Sequence, residues 1–363
     1  MGAASAAPRT WRKVPSPSVA PHNHGNFLFD VDCVRTDWCV AVGQAQRVTA
    51  PQTTAIIEHW DGGDWSMMTP SIIAGQTGLR GVTCLADDDC TAVGWGPAGT
   101  LVERWDGDSW SVESSPNQDA SDTLDDVACS SSARCFAVGS GDPPHSGEAT
   151  ALLEQWDGAR WTVVPSLTPV ETSELNGVAC ASPTRCFAVG NQRRGQLRMV
   201  TLVETWDGAS WSIVKSPNPP ATRPQAIDTL SAIACSSTTV CTAVGSDEES
   251  WTVGSPLAER WNGRGWRLVP TPGVANSGAF GGIDCVGNYC AVVGYSGSGS
   301  NGSSTLVETT RGHDFTVVPS ASPGAGYNFL AGVACSGIGA CAAVGEWGGA
   351  VAPPWERTLV LSP

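Results

Sequence analysis

The residues with the most chemistry to offer are fourteen cysteines. Each sits in a local pair: Cys33/Cys39, Cys84/Cys90, Cys129/Cys135, Cys180/Cys186, Cys235/Cys241, Cys285/Cys290 and Cys335/Cys341. Six pairs enclose five residues and the Cys285 pair encloses four, whereas zinc knuckles and redox motifs enclose two. The pairs therefore read as seven hairpin disulfides. Such bonds persist only in oxidising compartments, which predicts a secreted, extracellular protein. A net charge of -15 argues against a nucleic-acid partner, and no apolar run is long enough to span a membrane. Met1-Gly2 before Ala3-Ala4-Ser5-Ala6-Ala7 reads as a start joined to mature sequence, with an export segment already removed.

The titratable side chains give a weaker signal. Glu58, Glu103, Glu154, Glu204, Glu259 and Glu308 recur at one position of a repeat, and such recurrence points to scaffold rather than acid/base catalysis. His22-Asn23-His24 would place two imidazoles on one side of a strand, but no third ligand is specified, so solvated histidines are expected. Asp87-Asp88-Asp89 lacks the glycine and glutamate of a calcium loop and reads as an exposed acidic turn. Asn301-Gly302-Ser303 matches a glycosylation sequon. A nucleophile elbow, a metalloprotease helix motif and a phosphate loop are all missing. No metal, no cofactor and no catalytic activity are expected.

These residues must be positioned by the repeat that carries them. Its unit is L-x-x-V-A-C, five residues, C-x-A-V-G, a variable stretch, L-V-E-x-W-D-G-x-x-W and a V-P-S-P-like segment. It recurs seven times, with first cysteines at Cys33, Cys84, Cys129, Cys180, Cys235, Cys285 and Cys335, spaced 45 to 55 residues apart. That is the length of one propeller blade. Short Val, Ala, Thr and Trp runs bounded by Gly, Pro and Ser exclude helices, so the prediction is an all-β, seven-bladed β-propeller with four-stranded blades and one disulfide per blade, spanning residues 1–363 as a single domain. In the fourth unit the strands are expected at Leu175–Cys180, Cys186–Gly190, Thr201–Trp206 and Trp211–Val214. Small residues place the first strand at the axis, and tryptophans place the last at the rim. The seventh unit stops at Pro363 without a closing strand. Residues 10–17, Thr10 to Pro17, carry the missing pattern, so the N-terminal segment is expected to close the ring and remove its free edges.

Eleven of the sixteen tryptophans occupy repeat positions and are expected to fill the spaces between blades. Trp38, Trp95, Trp251, Trp347 and Trp355 do not. Trp38 is assigned to the loop between the first two strands, and the other four to the loop between the second and third strands on the opposite, top face. Composition varies most in those top loops, at Asp142-Pro143-Pro144-His145, Arg193-Arg194-Gly195, Asp247 to Trp251 and Tyr295 to Ser304. Variable loops on a rigid scaffold commonly carry binding residues. Trp251, Tyr295, Tyr327, Trp347 and Trp355 fall in consecutive units, and with Asp247, Glu248 and Arg194 they form the candidate ligand-binding set. Flat aromatic faces beside polar groups suit a pyranose, which offers an apolar face and a rim of hydroxyls. The competing reading is that these rings cap their own blades.

The run Ala-Cys-x5-Cys-Phe-Ala-Val-Gly followed by Glu-x-Trp-Asp-Gly-x-x-Trp-x-Val-Val-Pro-Ser-Pro resembles the exported propellers of actinobacteria, across essentially the whole chain. Among these it is most similar to the lectin subunits of umbrella toxin particles. The resemblance implies a lectin-like protein that recognises a cell-surface glycan, and an adaptor protein inserted into the propeller's cleft or channel. The matching motifs belong to the blade and carry no binding residue across. A secreted lyase or glycosidase with its site over the channel mouth, and a ring that binds protein alone, are the alternatives.

Overall fold

The computed structural model describes residues 10–19, 24–47, 52–71, 75–117, 121–141, 149–165, 167–168, 172–195, 197–220, 223–250, 253–272, 277–297, 302–312, 314–349 and 357–363. These residues are all strand, turn and loop, with no helix among them. In the fourth unit the strands are Ser173–Ser182, Arg185–Arg194, Arg198–Trp206 and Trp211–Ile213. The first three are longer than their sequence pattern suggests. Antiparallel pairing carries the second hairpin outward through Asn191↔Thr201 to Arg194↔Arg198, because backbone bonding to a neighbour, not side-chain type, decides where a ladder ends.

Cys180 lies opposite Cys186 in the first hairpin, and the same placement recurs in all seven, with Cα atoms 4.0 to 4.1 Å apart. All seven disulfides form within their own hairpin. The second cysteines also pack the core. Cys39, Cys90, Cys135, Cys186, Cys241, Cys290 and Cys341 are all buried, each in the hydrophobic cluster of a different contact between units, so they fill the core as well as cross-link it. The cause is their place on the second strand, which has a neighbour on either side. Cys90 lies between Cys84 and Trp105, and Cys241 between Cys235 and Trp261. Cys290 lies between Cys285 and Thr310, a position where the other complete units carry tryptophan. None of the three is an accessible site residue.

Five sheets have four strands, and a sixth has eight because one parallel bridge, Met199↔Ile227, joins the fourth and fifth units. The first strands of all seven units line one central channel of about 320 Å³. Small residues bring them close: a Cβ on Gly81 would lie 2.7 Å from the Cα of Asp126, and one on Gly332 would lie 2.8 Å from the Cα of Asp30. At the rim, strand Arg12–Val14 pairs antiparallel with the last strand, Arg357–Ser362, in the register Arg12↔Ser362 and Val14↔Val360. Trp11, 1% exposed, donates its N–H to Pro319 O at 2.9 Å and accepts from Ala321 N at 3.0 Å, fastening that strand to the sixth unit.

The outer hairpins explain the Asp-Gly motif. Asp207 Oδ1 accepts the N–H groups of Ala209 and Ser210, both at 2.9 Å, while Gly208 takes φ 102°, where a side chain would be strained. The turn delivers Trp206 and Trp211 as a tilted pair, centroids 6.0 Å apart, onto Phe136 of the preceding unit. Behind this aromatic layer lie the repeated glutamates, five fully buried and Glu204 nearly so. The closing segment of one unit bonds the glutamate of the next: Ser16 to Glu58 at 2.7 Å, Ser71 N–H to Glu103 at 2.9 Å, Ser115 to Glu154 at 2.7 Å and Ser216 to Glu259 at 2.6 Å. Burial pushes these carboxyls up, Glu58 to about 8 and Glu154, Glu204, Glu259 and Glu308 to about 7.

Candidate functional site

The structure redistributes the residues expected to bind ligand. Trp251 and Trp355 lie outside the described residues. Arg194, Asp247, Glu248, Tyr295, Tyr327 and Trp347 all stand in strands rather than in loops, as does Trp95. The reason is the outward extension of the hairpins, the second ones for most and the first one of the last unit for Tyr327, whose ladders absorb segments that composition marks as turns. Trp38 is likewise the first residue of strand Trp38–Arg47, opposite Arg35 across a two-residue turn, and it is buried against the edge of His59. Asp87 and Asp89 sit at the expected acidic turn but are paired, with Arg35 at 2.6 Å and Arg104 at 2.8 Å.

Within the candidate set two separate groupings emerge. Tyr295 of the sixth unit meets Phe329 of the seventh with ring centroids 5.7 Å apart, and the charge of nearby Glu248 adds to burial in raising the phenol. Asp247 lies opposite Asp228 across the hairpin. Asp228 is 1% exposed and accepts a hydrogen bond from Arg198 at 3.1 Å. Burial is the main cause raising Asp228 to about 6; Arg198 opposes it, while hydrogen bonding to Asp247 adds to it. Two carboxyls sharing a proton are chemically capable of acid/base work; here Asp228 is buried within the sheet and Asp247 is partly exposed.

Trp347 forms the second grouping with two residues that the sequence pattern did not single out. Lys13 Nζ lies 4.3 Å from the centroid of its indole ring, and the Arg357 guanidinium lies 5.3 Å from it. Trp347 is paired with Arg357 across the last hairpin, while Lys13 arrives on the N-terminal strand, opposite Leu361. The ring is half-buried against the core between the sixth and seventh units, and both cations are exposed. A groove of about 670 Å³ opens here, lined by Lys13, Pro15, Ser16, Ser18, Trp347, Arg357 and Thr358. The hydroxyls of Ser16 and Ser18 lie 2.9 and 3.1 Å from that of Thr358.

The central channel holds a third set, which sequence reasoning missed. Asp30 Oδ2 accepts Val82 N–H at 2.9 Å, and Asp32 takes Cys33 N–H and Cys84 N–H, both at 2.7 Å. Asp126 takes Val127 N–H at 2.7 Å and Val178 N–H at 2.8 Å, and Asp284 takes Cys285 N–H and Cys335 N–H at 2.7 Å. Each carboxylate thus ties its inner strand to the next one. Burial raises all four carboxyls, Asp126 to about 7 and Asp284 to about 6. The signal was present: these acids stand one or three residues before a first cysteine, where most units carry Ala or Gly. Among the described residues, no cluster of three or more His, Cys, Asp or Glu side chains could hold a metal, and no helix is long and apolar enough to cross a membrane.

No family model and no curated protein matches the chain. Solved structures do. YCF48 from Cyanidioschyzon merolae superposes with a TM-score of 0.57 at 12% identity over 98% of both chains. The ulvan lyase bound to a GlcA(1-4)Rha3S saccharide superposes with a TM-score of 0.56 at 7% identity, over 94% of this chain and 95% of that one. The fold is a β-propeller. A xyloglucanase from Xanthomonas campestris reaches a TM-score of 0.57 at 13% identity, with 93% of this chain covering 52% of that larger one. Identities this low establish shared propeller architecture and nothing of the chemistry.

Proposed function

We propose that this chain is an exported, seven-bladed propeller, closed into a ring by its N-terminal strand, that binds cell-surface carbohydrate as a lectin-like module. The observation carrying the reading is the rim groove around Trp347, where an aromatic ring, two exposed cations and a row of hydroxyls converge on open space. Charged and hydroxyl groups around such a groove can bind and orient a sugar's polar substituents, while the tryptophan holds the cations in place. The buried acids favour binding over hydrolysis or elimination. Asp32, Asp126 and Asp284 each spend both oxygens on backbone N–H groups, and four of the repeated glutamates are bonded to the preceding blade. Carboxylates so engaged hold strands together.

The seven disulfides support an oxidising, extracellular setting. The sequence resemblance to the lectin subunits of umbrella toxin particles supports membership of a larger secreted toxin assembly, joined through an adaptor protein. Among the solved propellers similar in fold is YCF48 bound to a D1 peptide, so a protein partner is compatible with the architecture. A glycan array on the purified chain tests the reading. Retained glycans that come through unaltered support a lectin; a hit that is cleaved makes the protein an enzyme, and a blank array leaves a ring that binds protein alone.

A further inference from the structure

We infer that Lys13 and Arg357, held over the indole of Trp347, form a subsite for the carboxylate or sulfate of an acidic sugar. The inference rests on the carbohydrate-binding reading and names the class of sugar. Its starting point is an anomaly of charge. The chain carries 35 acidic and 20 basic side chains, and several of its arginines find carboxylates: Arg35 with Asp37 and Asp87, Arg80 with Asp125, Arg104 with Asp89 and Arg198 with Asp228. Lys13 and Arg357 instead stand beside each other, and the contacts that hold them are to the π-face of one tryptophan. Two like charges at such a distance repel. An indole face offsets part of that repulsion through its quadrupole, and an anion bound between the two cations would offset more of it.

The geometry also changes the role of the ring. A tryptophan free to stack on a pyranose needs an open face, and here both cations already lie over the ring, at 4.3 and 5.3 Å from its centroid. Trp347 therefore positions the cations, and Lys13 and Arg357 meet the ligand. Arg357 brings a planar fork that matches carboxylate or sulfate geometry, while Lys13 brings a mobile point charge. Burial and the Arg357 charge pull the Lys13 ammonium below its usual range, and a bound anion reverses that pull. Ser16, Ser18 and Thr358 at the edge of the groove offer hydroxyl oxygens to the rest of the sugar.

The net charge of -15 sets the length of the ligand. At physiological ionic strength electrostatic reach is about 8 Å, so a single acidic residue in the groove feels mainly the two cations. A long polyanion would also meet the negative charge that the chain carries in excess. The site thus fits a terminal or isolated acidic sugar.

The test is calorimetric titration of the full chain with short oligosaccharides in matched sets: uronate-bearing, sulfated, and their neutral counterparts, with inorganic sulfate alongside. The acidic members should bind about tenfold or more tightly than the neutral ones, a difference of roughly 1.4 kcal/mol. Lys13→Gln and Arg357→Gln should each erase most of that preference without shifting Tm, because both side chains are exposed. Arg357→Lys, which keeps the charge and loses the fork, should retain part of it. The uronate and sulfate arms separate the two anions. Equal binding of acidic and neutral members, or variants that bind like the parent, overturns this inference and leaves the carbohydrate reading standing. Inorganic sulfate binding as tightly as the sulfated sugar overturns it as well, since the sugar then contributes nothing. Failure of every oligosaccharide, neutral ones included, removes the carbohydrate reading itself.

Discussion

The contact between the third and fourth units and the seam between the seventh and first units solve the same packing problem with different residues. At the former, Phe136, one residue after Cys135, inserts against the next unit's tryptophan pair, 5.1 Å from Trp206 and 5.0 Å from Trp211. Phe187 repeats the arrangement against Trp261 and Trp266 at 5.3 and 5.4 Å. At the seam the equivalent position after Cys341 is Ala342, and in front of Trp60 and Trp65 there remains an apolar cavity of about 240 Å³. What holds the seam is polar and strand-borne: Ser16 Oγ lies 2.7 Å from Glu58 and 2.9 Å from the Thr358 hydroxyl, and residues Arg12 to Val14 pair with the last strand. The two contacts that carry phenylalanine fill the space before the tryptophan pair, whereas at the seam a strand is threaded beside the last hairpin and space remains next to it.

The largest effect should come from removing that strand. Deleting residues 1–17 takes away Trp11, which is 1% exposed, leaves an unpaired edge along Arg357–Ser362, and strips Glu58 of its hydroxyl partner. Loss of one buried tryptophan alone costs roughly 3–5 kcal/mol, and the bare edge invites aggregation. The truncated chain should melt far lower or precipitate, as followed by circular dichroism and light scattering. An unchanged Tm would mean that the seam is held by the contacts between the inner strands.

How much of this was legible in the sequence follows from how local each feature is. The disulfides and the Asp-Gly turns are fixed by spacings of a few residues, so the repeat displayed them directly. The burial of Cys90, Cys241 and Cys290 was not displayed, because it depends on the unit that packs against each hairpin. Strand ends were misread because Arg194 and Glu248 pair with Arg198 and Gly254 across a hairpin, and their polar character gives no sign of it. Lys13 was recognised only as part of a strand. Its meeting with Trp347 needs the pairing of the first strand with the last, a contact spanning most of the chain. Given that pairing, a register argument would have found it, since Lys13 shares a face with Trp11 through the two-residue alternation of a strand.

A second, smaller effect should distinguish the seam by pH. Burial raises the carboxyl of Glu58 from 4.5 to about 8, further than the about 7 of Glu154 or Glu259 at interior contacts. A carboxyl whose pKa is higher folded than unfolded keeps its full stabilising contribution below its unfolded pKa, and loses it as pH rises through the folded one. The seam should therefore weaken between about pH 4.5 and 8, by roughly 2–4 kcal/mol at the upper end. Glu58→Gln keeps an acceptor for Ser16 and removes the titration. Urea unfolding across this range should give a flatter stability profile for Glu58→Gln than for Glu154→Gln. Equal flattening would place the two glutamates in equivalent surroundings.

The smallest effect tests the cavity itself. Trp60 and Trp65 present nearly the same receiving surface as the interior pair, with centroids 5.9 Å apart at 41° against 6.0 Å at 46° for Trp206 and Trp211. A ring introduced by Ala342→Phe would enter space bounded by Val14, Trp60, Trp65 and Val360, all apolar. Burying the added ring favours folding by about 1.5–3 kcal/mol, and fixing its rotamer and adjusting its neighbours offset part of that. The net gain should be about 1 kcal/mol, read as a rise of a few degrees in Tm at constant pH. The sign is what matters. A rise shows that the seam has the interior geometry with one side chain missing. A fall shows that the tryptophan pair is in place but the strands on either side stand closer than at Phe136, so that the threaded N-terminal strand, and not the absence of a phenylalanine, sets the width of the seam.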